Sequence, residues 1–246
     1  MIRTRWILPA ITFGALSGLA AACALPYIMA INLPGTDQAL PPFPILLLAM
    51  FLQNTILASV VAYFGLRAGQ TLGIGSALFD ATVRSSGNRL TYSLAVTVGL
   101  LAGLLVWALD AVFVPYMPSL PLMNDVSFTV RAAAILYGGV AEEVLLRLGC
   151  LSMVAWVLVR MRLTPSVALT SAIIIAAVLF GIGHLPAMAA IVPLTPIIVF
   201  RTLLLNALPG IAFGLLYRRY GIEHAIVAHT CADIVLLLII PSIRIS

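Results

Sequence analysis

The chain has 246 residues, of which 63% are hydrophobic and 9% charged, and a mean hydropathy of +1.16. A soluble domain carries roughly 25% charged residues, so this composition excludes a water-soluble enzyme, a nucleic-acid module and a disordered chain. All thirteen basic residues are arginine, set against eight acids for a net charge of +5. No basic stripe interleaved with aromatics accompanies that charge, so no nucleic-acid partner is expected.

At about 20 apolar residues per crossing, the chain has room for seven to eight helices. The expected fold is therefore all-α, a polytopic transmembrane helix bundle whose solvent is the lipid bilayer. The first stretch opens with Arg3 and Arg5 and stays apolar to Leu33. That outruns the roughly 7–15-residue core of a secretory signal, so it reads as the first span. Further apolar stretches cover 43–66, 91–115, 128–159, 165–185, 196–217 and 222–243. The polar link 67–90 is expected to lie as an amphipathic helix on the cytoplasmic surface, and loops 33–42 and 116–127 hold Asp37 and Asp125. The chain divides into N-terminal helices over 1–127 and a core over 128–246.

Strict alternation gathers Arg3, Arg5, Arg67, Arg84, Arg89, Arg160, Arg162, Arg218 and Arg219 at one end, with Arg131, Arg201 and Arg244 near the other. The positive-inside rule then puts the N-terminus in the cytoplasm. Arginine in place of every lysine fits the coding bias of a GC-rich bacterium, hence a bacterial inner membrane. Cys23, Cys150 and Cys231 are far apart in apolar segments and form no disulfide or CxxC pattern.

In so apolar a chain each interior polar group needs a reason. The strongest anomaly is YGGVAEEVLLRLGC at 137–150. Glu143 and Arg147 are four apart, facing each other on a helix in the favourable order. Glu142 points elsewhere without a local partner, which suits a general base. His184, in FGIGHLP, follows Phe180 by one turn, so that ring packs below the imidazole. His229 and Asp233, in HAIVAHTCAD, share a face, and the acid is placed to orient the imidazole. His224, beside Glu223, reads as an interfacial residue outside the site.

Together these groups can activate a water. Glu142 acts as base with His184 as its partner, and His229, held by Asp233, supplies a donor to the oxyanion. The same set can hold a metal, since two histidines and a carboxylate form a zinc set. The ligands would be Glu142, His184 and His229, and the cofactor is either none or a divalent metal such as zinc. HExxH and GxSxG are absent, and Ser152, Ser171 and Cys150 have no base at fixed spacing. Arg201 and Asn206 lie in a span, where they either line a cavity or pair inside the bundle.

EEVLLR at 142–147, FGIGH at 180–184 and HTCAD at 229–233 match EExxxR, FxxxH and Hxxx(N/D) in order. With these motifs the chain resembles the CPBP intramembrane protease family, which groups type II CAAX prenyl endopeptidases with bacteriocin-processing and self-immunity proteins. The resemblance covers 128–240 and implies an integral-membrane endopeptidase acting on a membrane-associated or lipidated peptide or protein. It implies that Glu142 and His184 activate water and that His229 and Asp233 stabilise the oxyanion, with Glu143 and Arg147 in support. Prenyl-processing members carry Asn where this chain has Asp233, and ionised Asp cannot donate to an oxyanion. The alternatives are a proton- or ion-coupled transporter and a non-proteolytic scaffold of the same fold.

Straight rods create a conflict. At 1.5 Å per residue, His184 stands about 28 Å and His229 about 10 Å from the same end of the bundle, too far apart to share a water. Breaks or bends are therefore expected at Gly138–Gly139, Gly181, Gly183 or Pro186.

Overall fold

A computed structural model describes residues 4–32, 40–80, 83, 89–117 and 126–243. Among these it contains seven helices and no strand. They are α1 Ile7–Asn32, α2 Phe43–Gln70, α3 Arg89–Phe113, α4 over 128–160, α5 Pro165–Ala189, α6 Pro196–Tyr220 and α7 over 222–243. Six are long and apolar enough to cross a membrane. α4 is longer than any of them and carries the glutamate pair. Asp37, Asp125, Arg3, Arg84 and Arg244 lie outside the described residues.

Large apolar side chains face outward along every crossing, among them Leu8, Leu48, Ile56, Leu101, Ile174 and Phe200. The buried positions are dominated by small ones, including Ala58, Ala62, Ala95, Ala172, Ala225 and Ala228. Lipid is as apolar as leucine, so hydrophobicity does not drive these helices together. Close backbone approach through small residues does. Gly99 and Gly103 of α3 sit directly on Ala228 and Ala232 of α7, two parallel neighbours. Gly181, Gly210 and Gly214 bring the antiparallel α5 and α6 together.

α4 is not a uniform α-helix. Its α segments Phe128–Leu136 and Ser152–Arg160 flank two π segments, Tyr137–Glu142 and Val144–Leu151. The expected irregularity at Gly138–Gly139 is thus a π turn. α5, by contrast, runs unbroken through Gly181, Gly183 and Pro186 to Ala189, so no break occurs there and the helix outlasts its expected end.

The link beginning at 67 also differs from expectation. Residues 67–70 complete α2, and 71–80 form tight turns that bury Ile74, Ser76 and Asp80 rather than an amphipathic helix. Polar satisfaction explains this. The Glu223 carboxylate, at the first turn of α7, accepts from the Ser76 hydroxyl and from the N–H groups of Ala77 at 3.1 Å and Leu78 at 3.2 Å. The Ile222 N–H donates to the Gly75 carbonyl at 2.8 Å, and Arg5 reaches Asp80 at 3.0 Å. The turn into α7 needs Gly221, whose φ is +97°. His224 is not interfacial. It is fully buried, stacked on Tyr92 at 4.2 Å with Nε2 3.1 Å from the Thr91 hydroxyl.

Replacing Glu223 with Ala strands three donors in this buried clamp. Thermal unfolding of the detergent-solubilised protein is expected to show a loss of about 2–3 kcal/mol. An unchanged midpoint would show that water replaces the carboxylate there.

Candidate active site

The site forms where α4, α5, α6 and α7 converge, and it starts from one buried carboxylate. Oε1 of Glu143 lies 2.7 Å from Nη1 of Arg147 and 2.8 Å from Nδ1 of His229. Glu143 and Arg147 are 0% and 1% exposed, so neither has water to fall back on. The guanidinium is further held by the Gly210 carbonyl, to which Nη2 donates at 3.2 Å, and by the rings of Phe180 and Phe213 at 4.9 and 5.6 Å. Removing any one partner would leave a buried charge uncompensated.

This network holds His229. Nδ1 donates to Glu143, Phe213 stacks on the ring at 4.9 Å, and Phe180 meets it edge-on at 5.7 Å. Sequence spacing expects Asp233 to orient the imidazole, but its Oδ1 is 3.7 Å from Nε2, on the other side of the ring and outside hydrogen-bond range. The orienting acid is Glu143. An α-helix rotates adjacent residues by 100°. The wider π turn narrows that angle and aims both glutamates at one imidazole.

Glu142 is 18% exposed and makes no short contact with a cation. Oε1 lies 3.9 Å from Nε2 of His184, and Oε2 lies 3.9 Å from Nε2 of His229. Nδ1 of His184 is 2.9 Å from the Phe180 carbonyl. A carbonyl only accepts, so Nδ1 carries the proton and Nε2 offers a lone pair toward Glu142. The Phe180 ring packs against His184 at 4.7 Å, as the one-turn spacing expects.

His184 and His229 thus flank the same carboxylate, contrary to the rod estimate. α7 begins beneath the 71–80 turns, with Tyr217 and Ile222 fully buried, rather than at the membrane face.

Among the described residues, no group of three or more His, Cys, Asp or Glu side chains gathers tightly enough to hold a metal ion. The donor types are those of a zinc set, but their spacing is not. Arg201 does not line the site. Its Nε pairs with Asp110 at 2.6 Å, tying α6 to α3. Phe213 and the Gly210 carbonyl were not singled out from sequence. Their signal was the Gly210–Gly214 pair at helical spacing, which lets α6 approach closely enough for Phe213 to stack on His229.

Residues 125–235 match the model of the type II CAAX prenyl endopeptidase Rce1-like family. The match agrees with the resemblance of these motifs to the CPBP intramembrane proteases. All three motifs fall within the matched segment, and the family is one of proteases. No curated protein and no solved structure shows a significant match to the chain.

The two glutamates are expected to separate by stability. Arg147→Met, which leaves the buried Glu143 carboxylate without its guanidinium, should cost about 3–5 kcal/mol in thermal unfolding. Glu142→Gln should leave the midpoint within about 0.5 kcal/mol of the parent. Equal losses would show that Glu142 belongs to the same ion cluster.

Proposed function

We propose that this chain is an intramembrane endopeptidase that hydrolyses a membrane-associated or lipidated peptide or protein with a water activated by Glu142 and His184. The observation that carries this reading is the separation of 3.9 Å between Oε1 of Glu142 and Nε2 of His184. It is too long for a direct hydrogen bond. It suits one water donating to both acceptors at about 2.8 Å each.

The water's oxygen attacks the scissile carbonyl carbon while Glu142 takes one of its protons. The carbonyl electrons move onto oxygen. His229, protonated at Nε2 and balanced by Glu143, donates to that oxyanion. Asp233, beside the same Nε2, holds the proton there. Collapse of the tetrahedral intermediate breaks the C–N bond, and Glu142 passes its proton to the departing amine. The division of labour rests on environment. Glu143 is fixed by Arg147 and His229 and cannot move toward a substrate, whereas Glu142 is partly open and, among the described residues, not paired with an arginine.

Glu142 lies nearer the bundle end opposite the arginine-rich one. With the N-terminus cytoplasmic in a bacterial inner membrane, the site opens toward the outer half of the bilayer. A leader peptide or the terminus of a membrane protein is a candidate substrate alongside a prenylated one.

The test compares membrane proteomes of cells carrying the protein or its Glu142→Ala form. Newly cut termini should appear with the parent alone. Purified parent should cut the corresponding peptides, and both Glu142→Ala and His184→Ala should lower the rate by at least about 10³-fold. Undiminished cleavage by purified Glu142→Ala would sink the reading, and ion flux in proteoliposomes without cleavage would favour a transporter. A phosphatase fused after Ile243 should be active outside the cell, because seven crossings place that end opposite the N-terminus. Activity of a phosphatase fused at the N-terminus instead would reverse the orientation.

A further inference from the structure

A cavity of about 720 Å³ lies at the arginine-rich end of the bundle. Leu169 on its wall stands about 22 Å along α5 from His184, so the cavity shares no residue with the active site. The turn at 72–74, Leu169 of α5 and Leu215 of α6 line it, together with Arg218 and Arg219 from the last turn of α6. Its volume is that of a small-ligand pocket. The wall at Gly73 is open, since a side chain added there would meet nothing within 4 Å.

Neither arginine is answered by an acid. Arg5, Arg147 and Arg201 each reach a carboxylate within 3.0 Å. Among the described residues, no carboxylate lies at ion-pair distance from Arg218 or Arg219. Arg218 instead donates to two neutral hydroxyls of α5, Thr170 at 3.0 Å and Ser166 at 3.3 Å. Those bonds pin the guanidinium beside the positive end of α5 without neutralising it. Polarity is also graded along the bundle. Leu215 lies one turn before the arginines on α6, and Leu169 lies one turn inside the start of α5. Both leucines therefore stand on the membrane side of the charges. Leu215 is exposed, so its face meets lipid.

We propose that this cavity seats a phospholipid with an anionic phosphodiester headgroup. Its phosphate pairs with Arg218 and Arg219, and the top of an acyl chain lies against Leu215 and Leu169. A guanidinium fork matches two phosphate oxygens, and basic pockets between transmembrane helices suit anionic headgroups. Two uncompensated cations repel the choline of a zwitterionic lipid, which selects a headgroup without a cation. A free phosphate ion satisfies the same forks but gains nothing from the leucines. The seat also bears on the fold. The turn at 72–74 runs into Gly75, whose carbonyl takes the Ile222 N–H, and into Ser76 under Glu223. A lipid packed there braces the turns from which α7 starts.

The test is native mass spectrometry of the detergent-solubilised chain, titrated with phosphatidylglycerol or with phosphatidylcholine of the same acyl chains. One phosphatidylglycerol should bind about 10- to 30-fold more tightly than phosphatidylcholine. Arg218→Gln with Arg219→Gln should erase that preference. Arg67→Gln with Arg160→Gln removes two exposed arginines from the same end, outside the cavity, and should leave it intact. Inorganic phosphate in large molar excess should not displace the lipid. Equal affinity of the parent for the two lipids would overturn the proposal, and that arm needs no variant. A preference lost equally in both double variants would mark general surface charge. Displacement by inorganic phosphate would mark a site for a soluble anion, and either result overturns the lipid seat.

Discussion

One carboxylate oxygen, Oε1 of Glu143, is shared by Arg147 and His229, and the rest of the site depends on that sharing. In the interior of an apolar bundle no water compensates a broken pair, so the three groups hold one another in place. The arrangement locks α4 to α7, and through the Gly210 carbonyl, Phe180 and Phe213 it locks both to α5 and α6. Its consequence is that Arg147 is taken up by Glu143, and among the described residues the adjacent Glu142 pairs with no arginine. Two neighbouring residues of the same type therefore acquire opposite characters, one immobilised and one available, and the π turn aims both at the same imidazole.

The fold around them follows from lipid as solvent. Small residues inside and large apolar ones outside let the helices approach closely, and two clusters of buried polar groups bear on the site. One is the clamp of Glu223 on Ser76, Ala77 and Leu78, which closes the arginine-rich end and starts α7 beneath a roof of turns. The other is the site, nearer the opposite end. The clamp matters to the site because the depth at which α7 begins determines the level at which His229 meets Glu142.

Much of this was legible in the sequence. Hydropathy located the seven helices found among the described residues, and the Glu143–Arg147 pair and the Phe180–His184 stack follow from spacing alone, because contacts four residues apart are local. What spacing could not supply is contact between helices. Asp233, four residues from His229, was the obvious orienting acid, yet the hydrogen bond comes from Glu143, 86 positions away. The rod estimate separated His184 from His229 because it put the start of α7 at the membrane face. The 67–90 link misled for a related reason. Its polar residues looked solvent-seeking, whereas the described part, 71–80, is folded inward onto Glu223. Arg131 is the same error on a single residue: a charge near a helix end reads as an anchor until its burial is seen.

The central claim is that the free carboxylate acts on water rather than on the peptide itself. Single-turnover cleavage in ¹⁸O-labelled water, with hydroxylamine present, tests it most directly. Attack by a Glu142-activated water puts one ¹⁸O into the new carboxyl group of the product and gives no hydroxamate. A trapped peptide hydroxamate, or a product carboxyl without label, would show a covalent intermediate and contradict the account.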